Sequence, residues 1–364
     1  MKLKQQFFEV LEYKFYTRCC IQKIIFTMQN LKIGILDQSV VRNENDVRGA
    51  ILETIETSKL AEELGYSRFW VSEHHNSTFI AGSAPEMLMV KIADSTKHIR
   101  IGSGGIMLPN HSALKVAENF RMLETLFPGR IDLGMGRAPG TDRITSSLLN
   151  PSNDFSEPSY LRQLEHLQHF FQDTAGTERG FIYATPQSET IPMQWILSSS
   201  GGSSRIAARF GLGLAVAKFI NGFVTPEVVE TYRKQFRPSY QYEQPHAILS
   251  VFLICGETEA EARFMRKMMD YILIEFEKGK FGPFPSASVV RNYNFTPGEL
   301  ERLRYNSGRI ISGTKDEVKE QLTKLANDFE VDEIIISTMT DSFESRKRSF
   351  ELVAEAFNLN KFAD

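Results

Sequence analysis

The sequence predicts an α/β fold: a (β/α)8 TIM barrel with an insertion late in the barrel, after strand seven. Three observations carry this. Short apolar strands alternate with amphipathic helices, which implies a parallel sheet. Eight such units fit in 364 residues, and that number favours a closed barrel over an open doubly wound sheet. Five of the strands run into polar or glycine-rich residues: Asp37-Gln38-Ser39, His74-His75-Asn76, Gly104-Gly105, Gly136-Arg137 and Ser199-Ser200-Gly201. Active sites of such barrels form at that end.

The elements follow in order. Lys32 to Leu36 is the first strand. Asp46 can cap a helix to Leu64, whose Val47, Ala50, Ile51, Ile55, Leu60, Ala61 and Leu64 recur at helical spacing, and Gly65 ends it. Arg68 to Ser72 is the second strand, and Pro85 to Thr96 a helix. The third strand starts at Ile99 and continues through the glycines to Pro109; His111 or Ser112 opens a helix to Leu126. Arg130 to Met135 is the fourth strand, then loop to about Pro158 and a helix from Ser159 to Phe171. Trp195 to Ser198 and Leu214 to Ala217 are strands five and six, with a helix to Phe210 between them. Thr225-Pro226-Glu227 reads as a capped helix start. Ala247 to Ile254 is strand seven, followed by a charged helix from Glu257 to Lys278. Phe281 to Ile310 has no clear period and reads as the insertion. Thr314 to Phe329 is a helix, Glu333 to Ser337 strand eight, and Ser342 to Phe357 the last helix.

Composition narrows the function classes. The chain is 42% hydrophobic and 24% charged, with a formal net charge of -3, so nothing favours nucleic acid as a partner. Cys19, Cys20 and Cys255 form neither a zinc spacing nor a disulfide framework, which points to a reducing, cytoplasmic setting. Residues 1–30 read as an N-terminal extension, poorly packed or lying on the surface as a helix, with Met28 the expected natural start and residues 31–360 one barrel domain. Glu9, Glu12 and Lys14 interrupt any signal-peptide core, and no run is long enough to span a bilayer.

The fourth strand and its loop, Gly129 to Asp142, read as an anion-binding strand end. Glycines let backbone approach a ligand, and the Arg137 fork matches phosphate geometry. Ser199 to Ser204 leads straight into a helix, whose free amides attract anions, and Ser200 and Ser203 could add hydroxyl donors. Gly104-Gly105 inside a strand is costly unless a flat ligand lies against it or the barrel kinks there. His74 and His75 are adjacent, so at most one faces the barrel mouth, where it could do acid/base work or simply be structural. No metal-ligand spacing is present. Neither a dinucleotide fingerprint nor a P-loop is found.

Three blocks, Trp70 to Asn76, Gly104 to His111 and Pro128 to Asp142, together with Ser199–Ser204 and the following Ala-Ala-Arg-Phe-Gly, resemble the bacterial luciferase-like flavin monooxygenases. The resemblance runs from about Leu31 to Phe357. It implies reduced FMN and O2 as co-substrates. Arg137, Ser199, Ser200 and Ser203 would hold the FMN phosphate. Gly104 and Gly105 would lie against the isoalloxazine, where the family often has a non-proline cis peptide. Gly136 would border the ring, and His74 falls on the catalytic histidine. The implied reaction places one oxygen atom on a small organic substrate, an aldehyde or other carbonyl compound, and one in water. A separate NAD(P)H:flavin reductase would supply reduced FMN, and non-luminescent relatives suggest a homodimer. Gly136 and Gly140 stand where the light-emitting α chain has cysteine and tyrosine, so no useful light output is expected. Three alternatives compete: an FMN storage protein, a deazaflavin enzyme, and a metal-dependent hydrolase using His74 and His111. Phe281, Phe284 and Phe295 are expected to pack the insertion onto the barrel.

Overall fold

A parallel strand covered on both faces reads as a near-continuous apolar run. Ala247–Cys255 is such a run but for Ser250, and it is buried at all 9 positions. A computed structural model describes residues 31–43, 46–280, 282 and 284–362. The expected N-terminal extension lies outside these residues.

Eight parallel strands close the barrel: β1 (Lys32–Asp37), β2 (Arg68–Val71), β3 (Arg100–Met107), β4 (Ile131–Gly136), β5 (Met193–Ser198), β6 (Gly213–Ala217), β7 (Ala247–Cys255) and β8 (Glu333–Ser337). They pair in sequence order, and β8 returns to β1 with Gly34 opposite Ile335. The helices are α1 (Val47–Leu64), α2 (Pro85–Asp94), α3 (Ala113–Leu126), α4 (Arg143–Leu149), α5 (Glu157–Phe171), α6 (Gly202–Phe210), α7 (Glu227–Gln235), α8 (Glu259–Glu277), α9 (Ala287–Asn292), α10 (Pro297–Asn306), α11 (Lys315–Phe329) and α12 (Phe343–Phe357). Among the described residues no helix is long and apolar enough to cross a membrane.

Several elements differ from the sequence reading. The stretch after Asp142 is not all loop: its carboxylate accepts from the Ile144 and Thr145 amides and starts α4. α5 begins at Glu157 under a Ser156 cap, two residues before Ser159. β3 ends at Met107, and Leu108–Asn110 form a 3-10 turn, because Pro109 has no N–H to extend the ladder. α7 starts after Pro226 with no side-chain cap, so Thr225 does not serve as one. The described residues of the insertion carry two helices, α9 and α10. A capping box of Thr296 and Glu299 starts α10, and Ile310–Gly313 runs parallel to β7 with Ile310 opposite Phe252.

At the N-terminal end of the strands the barrel interior holds an ion network. Arg68 opens β2, and its Nε and Nη2 donate to the Glu333 carboxylate at 2.7 and 2.8 Å. Its Nη1 donates to Asp132 Oδ2 at 2.6 Å, which also accepts from Trp70 Nε1 at 2.9 Å. Arg100 closes on the other Asp132 oxygen at 2.7 Å. The Arg68 guanidinium lies 4.9 Å from the centre of the Trp195 ring. Burial pushes the Glu333 carboxyl up, but Arg68 outweighs it and holds the group below the ordinary value of 4.5. Replacing Glu333 by Ala leaves Arg68 with Asp132 alone, a carboxylate it shares with Arg100, so two cations face one buried anion. We expect a loss of about 3–5 kcal/mol, read from the urea midpoint at pH 7.

Candidate active site

The polar residues at the C-terminal strand ends divide into two kinds. Some are consumed by the fold. Asp37 ends β1 fully buried, accepts from the Ser39 amide at 2.6 Å and Thr54 Oγ1 at 3.0 Å, and is ion-paired with Arg346 of α12. Its carboxylate therefore ties the first strand to the last helix. The expectation that this strand end contributes a free polar group does not hold for Asp37.

Glu73 follows β2 and is also buried. Its Oε1 accepts from His75 Nε2 at 2.8 Å and from His111 Nε2 at 2.9 Å, and its Oε2 accepts from the Met107 amide at 2.8 Å. Burial pushes the Glu73 carboxyl up, but the His111 and His75 contacts and the Met107 amide bring it below the ordinary value. Burial likewise pushes His111 down, and Glu73 more than reverses this. His111 is thus a partner of Glu73. It is neither a helix cap nor paired with His74.

His74 has a different neighbourhood. Its backbone N–H donates to the Gly82 carbonyl at 2.8 Å. Burial pushes its pKa below the ordinary histidine value despite Gly140 and Glu73, so the ring is neutral at neutral pH. Of the two adjacent histidines, it is His75 whose ring bonds Glu73.

The Gly104–Gly105 peptide is cis, and the β3–β4 register shifts between Gly104 and Ile106. A Cβ on Gly105 would lie 2.5 Å from the Gly134 carbonyl oxygen. One on Gly104 would lie 2.9 Å from Leu36 and Trp70 side-chain carbons. Close packing of β3 on β4 alone therefore requires glycine here, with or without a ring beside it. Gly136 is less constrained: its Cβ would meet only the flexible end of Met107, at 2.9 Å.

β4 and β5 are neighbours with Met135 opposite Ile196, so Arg137 and the serine run leave adjacent strand ends. Arg137 is exposed, and its Nη1 pairs with the exposed Glu157 at 2.9 Å. Ser198 accepts from the Gly201 amide, and the Ser204 hydroxyl donates to the Gly201 carbonyl. Ser199, Ser200 and Ser203 make no such bonds among the described residues. Gly201, at φ 86°, precedes α6, which has no side-chain cap and no acidic residue in its first turn. An uncapped helix start beside a guanidinium and free hydroxyls has the donor chemistry of a phosphate site.

Among the described residues no group of three or more His, Cys, Asp or Glu could hold a metal ion. The insertion supplies an apolar wall. Phe284 stacks on Phe79 at 5.9 Å, and both line a cavity of about 410 Å³ with Phe276, Tyr271 and Val289. Phe281 lies outside the described residues, and Phe295 packs edge-on against Tyr293. Glu73 was present in the sequence beside the histidines, but nothing there showed that it would collect two of them.

The family model of the luciferase-like monooxygenases matches residues 31–329. Over 330 residues the chain is 43% identical to the Bacillus subtilis protein YwcH, covering 90% of this chain and 99% of that one. It is 34% identical to N-acetyl-S-alkylcysteine monooxygenase of the same organism, covering 90% and 98%. The crystal structure of apo-MsnO8 superposes with a TM-score of 0.84 at 35% identity, covering 92% of this chain and 99% of that one.

The Glu73–His111 pair makes stability pH-dependent with a definite sign. The lowered Glu73 contributes above its unfolded value of 4.5, a contribution lost as pH falls through the folded value. The raised His111 contributes below its unfolded value of 6.5, a contribution lost as pH rises through the folded value. Glu73→Gln should therefore depress the urea midpoint most between these two values. A depression that is equal at pH 4, 5.5 and 8 would show that the pair is not charged in the folded chain.

Proposed function

The chain belongs to the luciferase-like monooxygenase family of oxygen-incorporating oxidoreductases, and on that premise we propose that it is a flavin-dependent monooxygenase using reduced FMN and O2. The observation that carries the cofactor reading is the donor set at the adjacent ends of β4 and β5. Arg137 presents an exposed fork, Ser199, Ser200 and Ser203 offer free hydroxyls, and α6 starts uncapped. Opening the exposed Arg137–Glu157 pair costs little. The set suits a phosphate monoester, and the flat Gly104–Gly105 segment and Gly136 suit a ring beside it.

Bound reduced FMN supplies the electrons with which O2 gives one atom to substrate and one to water. The chain does the rest. Arg137 and the serines orient the phosphate. His74, its pKa lowered by burial, holds or moves a proton at the edge of the ring or at the substrate. Leu36, Trp70 and Leu197 back the glycine pair with apolar surface that excludes water.

The substrate is a small organic molecule. Aldehydes and other carbonyl compounds fit the reading, and the name of the N-acetyl-S-alkylcysteine monooxygenase adds S-alkyl thioethers. Without a dinucleotide fingerprint, reduced FMN comes from a separate NAD(P)H:flavin reductase. Met87, Met122 and Leu126 are exposed on the neighbouring helices α2 and α3, and a second copy covering them makes a homodimer. The cysteine usage suits the cytoplasm.

Anaerobic titration with photoreduced FMN, followed by admission of oxygen, tests this. A long-lived absorbance distinct from oxidised FMN supports the monooxygenase. Tight binding with immediate reoxidation and full release of peroxide favours storage, and binding of deazaflavin alone reassigns the cofactor. Arg137→Ala should weaken FMN binding about 10- to 100-fold, the worth of one charged hydrogen bond. His74→Ala should keep FMN and lose about 100-fold or more in turnover.

A further inference from the structure

The polar strand end Asp37-Gln38-Ser39 is only partly consumed by the fold. Asp37 turns outward to Arg346 and Thr54, and the Ser39 hydroxyl bonds Thr54 Oγ1 at 2.9 Å. Leu36 faces the other way, packing inside the barrel with Trp70, Trp195, Ile248 and Ile335. Alternate side chains of a strand share a side, so Gln38 stands on the inner face above Leu36. Its side chain is half-buried and makes no hydrogen bond among the described residues. Its neighbours carry the same kind of group. The β1–β2 ladder runs one step past Val71, with the Ser72 amide donating to the Asp37 carbonyl at 3.3 Å, so Ser72 lies beside Gln38 on the face of Trp70. Ser72 is 5% exposed, and its Oγ has no hydrogen-bond partner. On the other side Ile335 pairs with Ser250, and Ser337 with Phe252, so both serines share the inner face of Ile335. Neither hydroxyl bonds a described residue. Four polar side chains from β7, β8, β1 and β2 thus form a belt above an apolar floor. Phe252, with the Phe219 ring 5.1 Å away, continues the wall above it.

A polar belt between two apolar layers is costly while its donors and acceptors go unanswered. Charge decides what answers them. Asp37 and Glu73 turn away, to Arg346 and to His75 and His111, while Arg68, Asp132 and Glu333 lie beyond Trp70 at the other end. A carboxylate at the belt would be buried without a cation. A ketone or aldehyde oxygen would answer donors only. A carboxamide answers both kinds of group: its carbonyl accepts from the Gln38 NH2 or a serine hydroxyl, and its N–H donates to the Gln38 oxygen. We propose that Gln38, with Ser72, Ser250 and Ser337, determines specificity for a neutral amide group of the organic substrate, whose apolar remainder lies along Phe219 and Phe252. The inference rests on the monooxygenase reading and names a substrate class for its site. The amide is the handle by which the molecule is held, and the atom to be oxygenated lies elsewhere in it. The uracil-like edge of a flavin ring bears the same carbonyl and N–H groups, so the test separates the two.

The test is calorimetric titration of the full chain, with and without FMN, using three probes of one shape: hexanamide, hexanoate and 2-heptanone. The native protein should bind hexanamide about 10-fold tighter than either of the others, the worth of one further hydrogen bond. Gln38→Leu should weaken hexanamide by about the same factor and leave FMN affinity unchanged. Ser72→Ala, whose lost hydroxyl bonds nothing in the chain, should keep the native urea midpoint and also weaken hexanamide. A native protein that binds the three probes equally, or binds none of them, overturns the proposal. So does a folded Gln38→Leu protein with unchanged hexanamide affinity. Gln38→Leu that weakens FMN and spares hexanamide assigns Gln38 to the flavin edge, and the proposal falls. If Gln38→Leu does not fold, Ser72→Ala decides, and unchanged hexanamide affinity there again overturns the proposal. A chain that binds no FMN defeats the functional reading, while the flavin-free titration still judges Gln38.

Discussion

A guanidinium sealed inside a barrel must be matched in charge and hydrogen bonding, or the barrel does not close. Arg68 is matched by Asp132 and Glu333, which come from β4 and β8, and Trp70 and Trp195 pack around the three. These contacts fix the relative height of β2, β4 and β8 at their starts. In a parallel sheet a strand that slips by one residue turns every side chain to the other face. The ion network therefore sets, from the far end, which residues emerge at the mouth: Glu73 and His74 after β2, Arg137 after β4. A second buried pair, Asp37 with Arg346, fastens β1 to α12 and so joins the two ends of the ring.

The mouth shows a clear division between charges that are used up and charges that are available. Asp37, Glu73 and His111 are satisfied within the fold, each by at least one buried or charged partner. Arg137 is exposed and pairs with an exposed glutamate, and the hydroxyls of Ser199, Ser200 and Ser203 on the next strand end make no hydrogen bond among the described residues. Buried charges need complete partners because desolvation is severe, whereas an exposed pair exchanges its partner at small cost. His74 sits between these regimes, half-buried and with its pKa lowered by burial.

Much of this was legible in the sequence because it depends on strong periodic signals. Strands buried on both faces read as apolar runs, and eight of them with helices between leave few topologies. Arg137, His74, the glycine pair and the serine run could be located because strand ends follow directly from strand boundaries. What could not be read was direction. Asp37 and Glu73 stand at strand ends like His74, but their side chains turn into the fold, and only the packed structure decides that. α4 was missed because seven residues carry too little period, although Asp142 was a visible cap. The insertion itself was legible, but its helix α10 was missed because aromatic residues obscured the Thr296-Pro297-Gly298-Glu299 start signal.

β7 has three strand neighbours at different heights. Its first residues pair with β6, its middle with β8, and Phe252 to Cys255 with Ile310–Gly313. The strand thus outgrows the ring it belongs to, and the insertion returns to hydrogen-bond with the overhang. The insertion is accordingly part of the wall, with its own backbone partners. One side of the rim stands higher than the other. The raised side can change in sequence, and with it the shape of the apolar lining, while the ladder of the eight-stranded ring stays closed.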